Sequence, residues 1–169
     1  MNRITTYIRQ SLQDIYPPEE VKALSMLICC DMLGVDALDI YMGKDIILSA
    51  CKQRELENII FRLQKNEPIQ YIRGYAEFCG RNFRVAPGVL IPRPETAELV
   101  DLIVKENPDA CRLLDIGTGS GCIAISLDKN LPDAKVDAWD ISEEALAIAR
   151  KNNEELDAQV IFRRQDVFS

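Results

Sequence analysis

The sequence predicts an α/β fold in three parts: an N-terminal helical bundle, a short β-hairpin connector and the first half of a Rossmann-like domain. Three observations carry this reading. Apolar residues recur at helical spacing up to Leu63. Glycine, proline and aromatic residues cluster between Pro68 and Pro94. From Arg112 onward, short apolar runs alternate with helical patterns, the order of βα units in a parallel sheet. The boundaries read as 1–73 for the bundle, 74–93 for the connector and 94–169 for the α/β part.

Each element has a local reason. Ile4, Tyr7, Ile8, Leu12 and Ile15 share one helical face. Pro17-Pro18-Glu19-Glu20 starts a second helix, because proline fits a first turn and acids suit the positive end of the helix dipole. It carries Val21, Leu24, Leu27, Ile28 and Leu33 and stops near Gly34. A short helix spans 36–42 and ends at Gly43; the next runs through Leu48, Leu56, Ile59, Ile60 and Leu63 and ends before Pro68. In the connector, residues 78–79 and 83–86 pair around Gly80-Arg81-Asn82. Pro94 opens a helix with Ala97, Val100, Ile103 and Val104 on its inner face. Strands follow at 112–116, 135–140 and 159–163, separated by a helix opening at 122–127 and one running from Ser142 to Glu155. The inner face of that last helix carries Ala145, Leu146 and Ile148.

Composition narrows the function. The chain has 169 residues and is 47% hydrophobic, enough for one medium domain or two small ones. No apolar run is long enough to span a membrane, and the N-terminus lacks the apolar core of a signal peptide, so a cytoplasmic location is expected. There is no histidine, which excludes mixed Cys/His zinc sites and any Ser-His-Asp or Cys-His catalysis within these residues. The six cysteines form no C-x-x-C; no metal site and no disulfide are expected, and Cys29, Cys30 and Cys51 read as small core residues. Net charge is −7, with 9 basic and 10 acidic side chains in residues 1–75 and 11 and 17 in the remainder. That balance offers no basic footprint for phosphates, so direct nucleic-acid binding is not expected.

The chemistry concentrates in one stretch. Leu113-Leu114-Asp115-Ile116 is an apolar strand that meets a carboxylate, followed by Gly117-Thr118-Gly119-Ser120-Gly121, with glycine at every second position. A second acid, Asp140, closes the next strand, nineteen residues beyond Gly121. Strand, glycine loop, helix and a second strand ending in an acid make a nucleoside-cofactor site. The glycines let the backbone approach a ligand, and the acid accepts from ribose hydroxyls. A dinucleotide fingerprint would place glycine at position 122, where this sequence has Cys122. The negative charge of Asp115 suits a ligand carrying an ammonium and a sulfonium. The expected cofactor is therefore S-adenosylmethionine (SAM) and not NAD.

Residues 68–74, Pro-Ile-Gln-Tyr-Ile-Arg-Gly, then Phe78, then residues 89–96, Val-Leu-Ile-Pro-Arg-Pro-Glu-Thr, together with the glycine loop, closely resemble the HemK/PrmC family. Its members are protein-(glutamine-N5) methyltransferases that act on the GGQ motif of class I peptide chain release factors. The resemblance spans the chain and implies a helical substrate-recognition domain ahead of a SAM-dependent methyltransferase domain. It implies that Gly117, Thr118, Gly119, Ser120 and Gly121 line the methionine and ribose, that Asp115 supports the methionine end and that Asp140 binds the ribose. It also implies that Asp166 accepts from the adenine amine, that Val167 packs near the ring, and that Arg93, Glu95 and Thr96 flank the cofactor and substrate entry. Glu95 and Thr96 equally suit simple helix capping. The implied partners are the release factors, and the implied state is a monomer.

One departure matters. The family holds its acceptor amide with Asn-Pro-Pro-Tyr, which does not occur in residues 1–169. The motif is expected about 15 residues past Ser169, after one further strand and turn. No catalytic residue is therefore assigned here, and the chain alone is expected to be inactive. The alternatives are a nucleic-acid amino-methyltransferase, which shares the SAM fold, and a non-catalytic chain that binds release factor or SAM.

Overall fold

A computed structural model describes residues 3–168. The chain divides into two compact units, Met1–Arg73 and Gly74–Ser169.

The first unit is helical. Helix α1 (Arg3–Leu12) buries Ile4, Ile8 and Leu12, while Tyr7 and Ile15 are exposed at the edge of the expected stripe. Helix α2 (Pro18–Met26) begins after Pro17 and continues into a π-helical turn, Leu27–Met32, closed by Leu33 N–H on the Ile28 carbonyl at 2.9 Å. This wider turn, invisible to a 3.6-residue pattern, keeps Ile28, Cys29 and Leu33 all in the core. Asp36 caps α3 (Ala37–Tyr41) by accepting from Leu38 N–H at 2.7 Å. Helix α4 (Ala50–Gln64) is capped by Ser49 and buries Leu56, Ile59, Ile60 and Leu63. The start of α4 departs from the sequence reading at two residues. Leu48 precedes that cap instead of lying in the helix, and Cys51 is exposed on the first turn. A further short helix, α5 (Ile69–Arg73), starts from Pro68; its three apolar or aromatic residues are too few to show a period.

The second unit begins with a hairpin, β1 (Tyr75–Phe78) and β2 (Arg81–Arg84), paired antiparallel. Its turn is Cys79-Gly80, one position earlier than the sequence suggests. Cys79 takes φ +47°, a left-handed conformation in which cysteine is uncommon. Phe78 and Phe83 meet edge to face with centroids 6.0 Å apart, and both are buried.

Next come α6 (Pro94–Glu106), β3 (Arg112–Ile116), α7 (Cys122–Asn130), β4 (Lys135–Asp140), α8 (Glu143–Glu155) and β5 (Ile161–Arg164). The strands form one parallel sheet in the order β3-β4-β5. β3 and β4 have the bounds read from the sequence; β5 starts two residues later, because Val160 N–H is taken by the Asn153 side chain at 3.1 Å. Val100 of α6, Ala124 and Ile125 of α7, and Val136 and Ala138 of β4 build the core, with the two hairpin phenylalanines joining them. In β3, Leu114 and Ile116 alternate with Leu113 and are exposed. The parallel arrangement places the ends of β3, β4 and β5 together, and the sequence motifs lie there.

Candidate cofactor site

Three backbone anchors shape the glycine loop. Gly117 and Thr118 N–H both donate to the Trp139 carbonyl, at 2.8 and 3.0 Å, which ties the loop to the end of β4. Gly121 N–H returns to the Thr118 carbonyl at 2.9 Å. All three loop glycines have positive φ: +75° at Gly117, +56° at Gly119 and +79° at Gly121. They do so for different reasons. A Cβ on Gly117 or Gly119 would point into open space, which is the space a ligand needs. A Cβ on Gly121 would come within 3.1 Å of Ile125 Cδ1, 3.2 Å of Ala149 Cβ and 3.3 Å of Phe162 Cε1. Gly117 and Gly119 form the cradle, and Gly121 seats it against α7, α8 and β5.

The two acids are wired to this loop. Asp115 Oδ2 accepts from the Thr118 hydroxyl at 2.7 Å. Burial pushes the Asp115 carboxyl above its ordinary value; hydrogen bonds from Thr118 and the Ala124 backbone oppose this, and the nearby Asp140 carboxylate adds to it. Asp140 accepts from Gly119 N–H through Oδ2 and from Ser142 N–H through Oδ1, both at 2.9 Å. A carboxylate has about four lone-pair directions, so each oxygen of Asp140 keeps one for a ligand hydroxyl.

Asp166 follows β5 and is drawn to Asp140 through its neighbour, since Gln165 N–H donates to the Asp140 carbonyl at 3.0 Å. Its side chain accepts from Phe168 N–H at 2.9 Å, and Val167 is exposed beside it. The structure thus gathers Asp115, residues 117–121, Asp140, Asp166 and Val167 at the carboxyl ends of three neighbouring strands. Arg93, Glu95 and Thr96 lie at the start of α6, and none of them hydrogen-bonds the loop or either aspartate among the described residues. Neither Glu95 nor Thr96 caps that helix with its side chain; the N-cap is Arg93.

Two parts of the site were not read from the sequence. One is the Trp139 carbonyl, which carries no side-chain signal. The other is Asn152, buried behind the loop with its amide donating to the Ser120 carbonyl at 2.8 Å. Its signal was a polar residue on the inner stripe of α8. No cluster of three metal-binding side chains occurs among the described residues.

The fit to a cofactor rests on these groups. Open space over two glycines, an anionic pocket at Asp115 and a two-oxygen acceptor at Asp140 suit a nucleoside joined to a cationic amino acid.

Comparison with known proteins agrees with this chemistry. Residues 4–74 match the PrmC N-terminal domain, and residues 95–169 match the methyltransferase small domain. A release factor glutamine methyltransferase from Bacteroides thetaiotaomicron is 98% identical over all of this chain, which covers 61% of that protein. Proteins of the same name from Flavobacterium psychrophilum and Koribacter versatilis are 42% and 50% identical. Those two matches span 87% and 81% of this chain, and 53% and 50% of the relatives. The chain therefore spans between half and two thirds of the length of these relatives.

Proposed function

This chain belongs to the HemK/PrmC family, and on that premise we propose that the protein carrying it methylates the side-chain amide (N5) of the GGQ glutamine in class I peptide chain release factors. SAM supplies an electrophilic methyl group on a sulfonium. In this reading Gly117 and Gly119 clear space for the cofactor, Asp115 faces its cationic amino-acid end and Asp140 takes its ribose hydroxyls. Asp166 and Val167 hold the adenine. Arg93, Glu95 and Thr96 border the entry, and the helical unit recognises the acceptor protein. The enzyme works in the cytoplasm as a monomer and acts on translation termination.

An amide nitrogen is a weak nucleophile because its lone pair is delocalised into the carbonyl. With SAM bound, transfer would exchange a methyl–sulfur bond for a nitrogen–methyl bond and release one proton from the nitrogen. Positioning and electrostatics carry such a step better than a strong base does.

The observation that carries the proposal is the wiring of the loop to both acids, Thr118 to Asp115 and Gly119 to Asp140. Its test is a labelled-methyl assay in which the full-length protein is offered release factor, DNA and RNA together. Label entering release factor, and not a variant with its GGQ glutamine replaced by alanine, supports the reading. Label entering nucleic acid alone makes the protein a nucleic-acid amino-methyltransferase instead.

A further inference from the structure

Helix α8 turns Ala145, Leu146 and Ala149 toward the core, and the next place on that stripe is Asn152, 1% exposed. A buried primary amide is costly unless its polar atoms are paired. Here they are paired with two separate pieces of backbone. Oδ1 accepts from Arg84 N–H at 2.7 Å. Nδ2 donates to the Arg84 carbonyl at 3.1 Å and to the Ser120 carbonyl at 2.8 Å. The partners fix the orientation of the amide, since an N–H can only donate and the two carbonyls can only accept.

Ser120 sits between two glycines of the cradle. Its carbonyl and the Gly121 N–H belong to one rigid peptide plane. Holding that carbonyl therefore sets the Gly121 N–H that closes the loop on Thr118. Glycine-rich backbone has no preferred shape of its own, so its conformation must be imposed from outside. Asp115 and Asp140 impose it from the ligand side, and Asn152 does so from behind. The Arg84 bonds fasten the same side chain to the last residue of β2, so the hairpin and the cradle share one support.

We propose that Asn152 is a positioning residue for the cofactor: it presets the glycine loop and couples the β1–β2 hairpin to cofactor binding. The proposal rests on the reading that this loop holds SAM. It predicts that ordering the loop also orders the hairpin end.

The test uses the full-length protein and SAM. Asn152→Ala should weaken SAM affinity about tenfold by calorimetry, the equivalent of one lost neutral hydrogen bond, with KM for SAM raised and KM for release factor unchanged. Asn152→Asp keeps the shape and the acceptor but sets a carboxylate oxygen against two carbonyls, and should lose at least as much. Leu131→Ala, a core truncation at the far end of α7, controls for stability: it should lower the melting temperature and leave SAM affinity unchanged. Hydrogen exchange on the unmodified protein needs no variant to fold, and saturating SAM should slow exchange at the Arg84 amide. Wild-type protein that fails to bind SAM removes the cofactor reading on which this rests. Wild-type binding with unchanged affinity in folded Asn152 variants overturns the positioning role itself, as does an Arg84 amide indifferent to SAM.

Discussion

Asp140 and Asp115 are both acids at strand ends, yet the structure surrounds them differently. Asp140 has its two oxygens satisfied by backbone N–H groups and keeps acceptor capacity to spare. Asp140→Ala should weaken SAM binding by about 1–3 kcal/mol through loss of the ribose acceptor, read by calorimetry. Unchanged affinity would remove Asp140 from the site. Asp115 is held above its ordinary pKa by burial. A carboxyl whose folded pKa is raised stabilises the fold at acid pH, and that contribution is lost as pH rises through the raised value. Asp115→Asn should therefore raise the melting temperature of the ligand-free protein at pH 7 while weakening its hold on SAM. In the wild type, SAM affinity should fall as pH drops through the same range, because the protonated acid no longer attracts a cation. A lower melting temperature for Asp115→Asn, or affinity flat across that range, would contradict this assignment.

At the scale of elements, the glycine loop separates into residues that make room and one that packs. Gly121→Ala adds a methyl between Ile125, Ala149 and Phe162 at a left-handed backbone position, and should cost about 1–3 kcal/mol in chemical denaturation. Gly119→Ala meets no neighbouring atom, so it should cost less stability and lose more cofactor affinity. Equal losses of stability would undo the distinction. β3 and β4 were legible in the sequence because each apolar run ends in an acid or a glycine, and the cradle was legible from its spacing. Several features hidden from the sequence share one physical cause, local geometry without a repeating period. The π-helical turn at residues 27–32, the one-turn helix α5 and the left-handed Cys79 are all of that kind. Asn152 shows in the sequence only as a polar residue on an inner stripe, because its hydrogen bond across 32 positions to Ser120 has no local signature. Cys51 lies outside the core because the buried residues of α4, Leu56, Ile59, Ile60 and Leu63, sit on the opposite face.

For the whole molecule, the described residues gather the candidate cofactor groups at the carboxyl ends of three neighbouring strands. Asn-Pro-Pro-Tyr is absent from residues 1–169, and no described strand pairs with the outer edge of β3, where Leu114 and Ile116 are exposed. A polypeptide of these 169 residues should therefore transfer no methyl group to release factor under conditions in which the full-length protein does. Comparable turnover by the two would show that the crevice suffices for the reaction. The choice of cofactor underlies every other assignment, and a calorimetric titration of the full-length protein with SAM and, separately, with NAD examines it most directly. The account predicts one saturable SAM site and no NAD binding, because Cys122 stands where a dinucleotide loop needs glycine and Asp115 sets a negative charge beside the cradle. Saturable NAD binding without SAM binding would contradict it.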